Sequence, residues 1–195
     1  PELDEKTVGE NAATLAWGVP EASERFLVTK QGAILYGGDK PKYVLTDLED
    51  GRKYDVQVYA LNSKGARSEA LEVSVLTKVG EVPGIRITHV TAQNVTIEVP
   101  QTSKQVDHFI ITRDGKEVGQ VKPGENWSDP NIEFNTSYVY TVTPTNQSGF
   151  GAEKQLTVTT PTRSIDEKTI VVKPGTTKIE ISFVAAEGAT KYIIK

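Results

Sequence analysis

The side chains able to do chemistry are few and scattered. His89 and His108 are the only histidines, and they lack the spacing of metal ligands. His108 directly precedes Phe109 in an apolar run whose period turns it outward, so it reads as a surface residue. Asp47, Glu49 and Asp50 crowd one turn without the interleaved oxygen donors of a calcium loop. Turn-forming carboxylates account for them, and for Asp129 with Glu133. Gly37-Gly38 has no following lysine or helix, so no phosphate loop is present. No serine sits at a strand-to-helix elbow. The absence of cysteine rules out disulfides, thiolate zinc sites and thiol nucleophiles. No catalytic, cofactor-binding or metal-ligating residue is assigned, and the chain reads as non-enzymatic.

What recurs is a phrase. Glu24-Arg25-Phe26-Leu27-Val28, Asp107-His108-Phe109-Ile110-Ile111 and Thr190-Lys191-Tyr192-Ile193-Ile194 each set an aromatic before aliphatics, and the aromatics lie 83 positions apart. Tyr54 and Tyr138, Val58 and Val142, Asn62 and Asn146, and Gly65 and Gly149 repeat at 84. A fixed period of this size marks one unit copied along the chain. The expected division is 1–78, 79–161 and a truncated third unit at 162–195.

Within each unit the hydrophobic period is two. Leu15 and Trp17 alternate with small or polar neighbours, as do Val95, Ile97 and Val99, and Ile179, Ile181 and Phe183. Tyr54, Val56, Val58 and Ala60 repeat the pattern, with Tyr138, Tyr140 and Val142 in the matching places. Turn signals separate these runs at Gly37-Gly38-Asp39, Glu49-Asp50-Gly51, Arg113-Asp114-Gly115 and Asn146-Gln147-Ser148-Gly149. Half-buried strands at this spacing predict an all-β chain of tandem seven-stranded antiparallel β-sandwiches, the third repeat incomplete.

These residues resemble the fibronectin type III domain. Trp17, Phe26, Leu48 six before Tyr54, and Asn62 leading to Gly65 carry the likeness in unit one; Ile132 six before Tyr138, Asn146 and Gly149 carry it in unit two. The resemblance implies a tyrosine whose ring is buried and whose hydroxyl bonds backbone upstream. Gly51 and Asn135 stand where a left-handed residue suits the corner. Trp127 is expected in the core, on an edge strand beside Pro130. Cysteine-free copies resemble those of bacterial surface proteins, secreted polysaccharide-degrading enzymes and phage structural proteins.

The links Lys78–Pro83 and Thr160–Ser164 are short and contain proline, which predicts a semi-rigid rod with units about 35 Å long. The net charge of −4 divides as −3, −3 and +2 over the three units, from 10 basic against 13 acidic residues, 6 against 9, and 6 against 4. Neither complete unit offers the basic surface that nucleic acid requires. No apolar run is long enough to insert in a membrane.

In the resembled family the loop between the last two strands often carries recognition. Here that points to Asn62, Lys64 and Arg67 in unit one, and to Gln147 and Phe150 in unit two. Phe150, flanked by Gly149 and Gly151, either folds back on the neighbouring unit or meets a partner. Asn94, Asn126, Asn135 and Asn146 open glycosylation-like tripeptides that read as accidents of threonine-rich strands. The expected function is a spacer and interaction module of a larger extracellular, cell-surface or virion protein, making protein or cell-surface glycan contacts. The alternative is an accessory part of a secreted carbohydrate-active enzyme. Three strands cannot bury two sheets, so further C-terminal residues or a neighbouring chain are expected to complete the third repeat.

Overall fold

The computed structural model describes residues 1–193. Its first seven strands are β1 (Leu3–Val8), β2 (Ala13–Trp17), β3 (Arg25–Lys30), β4 (Ala33–Gly38), β5 (Lys42–Leu45), β6 (Lys53–Leu61) and β7 (Leu71–Leu76). They form a three-stranded sheet β1-β2-β5 and a four-stranded sheet β4-β3-β6-β7, both antiparallel. The period of two is the reason they pack: alternate residues Ala13, Leu15 and Trp17 meet Phe26, Val28, Val56 and Val58 between the sheets. Trp17 and Phe26 close the core edge-to-face with ring centroids 5.6 Å apart.

The second sandwich repeats this with β8 (Arg86–Val90), β9 (Val95–Glu98), β10 (His108–Arg113), β11 (Lys116–Val121), β12 (Asn126–Asp129), β13 (Ser137–Asn146), the two-residue β14 (Gly149–Phe150) and β15 (Lys154–Thr159). Its sheets run β12-β9-β8 and β11-β10-β13-β15, with β14 returning on β13. β12 pairs only with β9, so Trp127 lies on an edge strand as its proline neighbour implied. The Trp127 ring packs edge-to-face on Tyr140, 6.2 Å away. The hairpins Gln31-Gly32 and Asp114-Gly115 both place two successive residues at positive φ, the turn whose twist matches paired strands. The chain is therefore an all-β array of tandem sandwiches, each around its own core.

Beyond the second sandwich the described residues hold a single pair of strands. After a single 3-10 turn at Glu167–Thr169 come β16 (Val171–Pro174) and β17 (Ile179–Ser182), paired as a hairpin. Ile179 and Ile181 are 67% and 42% exposed, whereas Val95 and Ile97 at the matching places are wholly buried. No facing sheet among the described residues covers them. The repeated phrase at Thr190–Ile193 forms no strand, and its counterparts β3 and β10 do so by pairing with β6 and β13. Ile194, the last residue of that phrase, and Lys195 lie outside the described residues. Tyr192 nonetheless meets Phe183 edge-to-face at 4.8 Å, repeating the Trp17–Phe26 pair.

The second core contains a charge that the first does not. The Asp129 side chain is only 3% exposed, and it accepts from Arg113 and from the Tyr140 hydroxyl at 2.9 Å. Burial, followed by the neighbouring carboxylate, pushes the Tyr140 phenol far above its ordinary value despite Arg113. Replacing Arg113 by alanine leaves a buried carboxylate without its cation, at a cost of about 3–5 kcal/mol. Tyr140→Phe removes one hydrogen bond and costs about 1 kcal/mol. Chemical denaturation followed by amide signals of the second sandwich measures both; equal losses from the two variants would contradict this account.

Candidate functional site

The part of the molecule that decides its shape is the joint between the first two sandwiches. In each sandwich a backbone N–H donates to the tyrosine hydroxyl: Glu49 to Tyr54 at 2.7 Å and Glu133 to Tyr138 at 2.8 Å. This fixes a corner whose turning residue has positive φ, Gly51 at 60° and Asn135 at 49°. The loop between β9 and β10 rests directly on the first corner. The Gln105 N–H donates to the Gly51 carbonyl at 2.7 Å, and a Cβ on Gly51 would lie 2.7 Å from that of Lys104. Glycine is needed there for contact as well as for φ.

Charge and hydrogen bonds lock this contact. Lys104 Nζ pairs with the Asp50 carboxylate at 2.7 Å and donates to the Glu81 carbonyl at 2.5 Å. The Gly80 N–H donates to the same carboxylate at 2.6 Å. Burial alone would raise the Asp50 carboxyl, but Lys104 and the Gly80 N–H outweigh it and hold the group below its ordinary value. Arg52 donates to the Ser103 carbonyl at 3.1 Å. From the other side, Asn146 Nδ2 donates to the Thr77 carbonyl at 2.9 Å and Ser148 Oγ to that of Leu76. The linker itself is buried: Val79 and Val82 belong to the second core, and the Ala152 N–H donates to the Val79 carbonyl at 2.8 Å. A Cβ on Gly151 would fall 2.2 Å from that carbonyl oxygen.

A second contact of the same kind follows. A Cβ on Gly188 would lie 3.1 Å from that of Asn135, the corner residue 84 positions after Gly51. Arg163 stacks over Phe134 at 4.5 Å.

The sequence-derived loop residues fall into two groups. Asn62 accepts from the Lys64 and Ala66 N–H groups at 3.0 Å each, holding the tip of the β6–β7 loop. Lys64 and Arg67 are exposed beside it, with Arg67 over the Tyr59 ring at 5.5 Å. Gln147 and Phe150 flank the joint instead, and the Phe150 ring is 67% exposed. It does not fold back; Gly151 makes the close approach. Asn146 is buried with its amide committed to the joint, so its glycosylation-like tripeptide is closed. Among the described residues no cluster could hold a metal ion. Sequence reasoning missed Asp50, Arg52, Lys104 and Ser148 as joint residues, because their partners lie in the adjoining unit.

The loop end of the first sandwich differs from that of the second. Arg67 pairs with Leu61 as Phe150 pairs with Thr145, and Ser68 donates to Ala60 as Gly151 donates to Pro144. Ser68 therefore carries a Cβ where the joint tolerates none. Counting back from Phe26 and Phe109, Glu21 stands in the place of Lys104.

No known family profile matches the chain, and no curated protein matches it. Solved structures do. A two-domain fibronectin type III segment of chicken tenascin is 17% identical with a TM-score of 0.50, covering 82% of this chain and 97% of that one. Fibronectin(III)-like modules of Clostridium thermocellum CbhA are 13% identical, TM-score 0.49, covering 82% and 93%. The FN1–FN3 domains of chicken CNTN1 are 19% identical, TM-score 0.42, covering 82% and 66%. At these identities the likeness is one of fold, and the fold is that of tandem fibronectin type III-like domains.

Two measurements test the joint. Lys104→Ala combined with Asn146→Ala, which removes a contact on each side of the joint, lets the first two sandwiches reorient, read as two alignment tensors in residual dipolar couplings where the unaltered chain gives one. A double-mutant cycle of Lys104→Ala with Asp50→Asn returns a coupling of about 1 kcal/mol. Asp50 titrates lower when folded than unfolded, so its contribution is present above about pH 4 and is lost as pH falls through the depressed value. A single tensor persisting in the Lys104→Ala, Asn146→Ala double variant at pH 7 would refute the lock.

Proposed function

We propose that the chain is a non-enzymatic spacer and interaction module of a larger protein, with units at 1–78, 79–161 and 162–195. The fixed joint carries this reading. A corner, a linker and two loops are tied by backbone, amide and charge contacts, which is what a rod needs to transmit position rather than to flex. The same style of contact at Asn135 and Gly188 extends the arrangement toward the third unit. A cell-surface, secreted or virion setting fits a cysteine-free, acidic surface on which recognition is spread over loops.

Partner contacts belong on the loop ends. Asn62, Lys64 and Arg67 form an exposed loop at one end of the first sandwich, and Gln147 and Phe150 present a second surface beside the joint. Arg67 and Phe150 hold the same ladder position, so one geometry offers a cation in one unit and an aromatic in the next. Both types are favoured at contact centres.

Small-angle scattering tests the spacer. The first two sandwiches give an elongated particle about 70 Å long, unchanged between low and moderate salt. A broad distribution of inter-unit distances in the unaltered chain would overturn the reading.

A further inference from the structure

A cleft of about 440 Å³ opens on one side of the joint, walled by residues of both sandwiches. From the first come Lys6 and Lys53, whose ammonium groups make only loose commitments. Lys6 donates to the Ser74 carbonyl at 3.1 Å, and Lys53 lies 3.6 Å from an exposed Asp55. From the second come Gln105, Asp107 and Gln147, all exposed. The joint fixes these walls: the Gln105 N–H is held by Gly51, and Asn146 and Ser148, on either side of Gln147, are held by Thr77 and Leu76.

We propose that this inter-unit cleft binds a carboxylate-bearing sugar. Two ammonium groups on one wall suit a single carboxylate. The opposite wall offers two carboxamides and a carboxylate, which donate to and accept from hydroxyls. Asp107 stands against a dianion such as phosphate, and no guanidinium lines the cleft to receive one in bidentate fashion. Leu76 is the only aliphatic side chain of the lining and no aromatic joins it, so flat apolar ligands find little surface. The inference deepens the interaction-module reading and depends on the rigid joint, since neither sandwich alone supplies both walls.

Amide NMR titration of the full chain tests it, with methyl glucuronide, methyl glucoside and inorganic phosphate as probes. The glucuronide shifts the amides of Gln105, Gln147 and Ser148, while the glucoside and phosphate bind at least roughly tenfold more weakly. Lys53→Ala weakens the glucuronide roughly fivefold with an otherwise native spectrum, and the Lys104→Ala, Asn146→Ala double variant weakens it by loosening the walls. Absence of those shifts, equal response to phosphate, or an unaltered titration in Lys53→Ala would overturn the proposal. Dipolar couplings on the same sample keep the two questions apart. One shared tensor without sugar binding removes the cleft and leaves the spacer standing, and two tensors remove both.

Discussion

The hydrogen bond from a backbone N–H to the hydroxyl of Tyr54, and its copy at Tyr138, is the constraint on which the rest depends. Each ties the end of the long sixth strand to the turn before it, burying most of a ring while satisfying its polar tip. It thereby shapes the corner at Gly51 or Asn135, and that corner is the platform for the next unit. Core and joint are one construction. Asp50, in that same turn, is the anchor for the linker amide and for Lys104.

The two complete sandwiches share this frame and solve their interiors differently. Val56, Leu45 and Lys30 of the first stand where the second has Tyr140, Asp129 and Arg113. In both, a cation lies over the corner tyrosine, Lys30 over Tyr54 and Arg113 over Tyr138, each 5.3 Å away. Only in the second does it continue inward to a buried carboxylate, because Asp129 demands a charged partner once Leu45 is no longer there. The second-strand tryptophan Trp17 gives way to Val99, and the volume is recovered by Tyr140 with Trp127 beside it. The three-residue exchange is self-consistent: the tyrosine alone would overpack a core that still held Trp17, and the aspartate alone would bury an unpaired charge.

The third repeat shows what one sheet lacks without its opposite. Val172 faces Ile181 and Pro174 faces Ile179, giving the hairpin one apolar side with Phe183 beyond it. The alternation matches that of the complete units, and the exposure arises because no second layer is described to receive it. The Phe183–Tyr192 contact joins the hairpin to the repeated phrase that follows it.

The period of 83 to 84, the alternation along Leu15–Trp17 and Tyr138–Val142, and the tyrosine corner made the sandwich legible in the sequence, because strand faces and turn conformations follow from local residue types. Positive φ at Gly51, Asn135 and Gly115 was legible for the same reason. The joint was not. Asp50 reads as a turn carboxylate and Asn146 as a loop residue or an accidental glycosylation signal, while nothing local singles out Lys104; each acquires its role from an atom in the adjoining unit. That the second unit's loop end closes on its neighbour turned on Gly151, a close approach that exists only when two backbones are brought within a few ångströms. Sequence determines faces and turns one segment at a time, whereas the meeting of two folded surfaces depends on distances that no single segment contains.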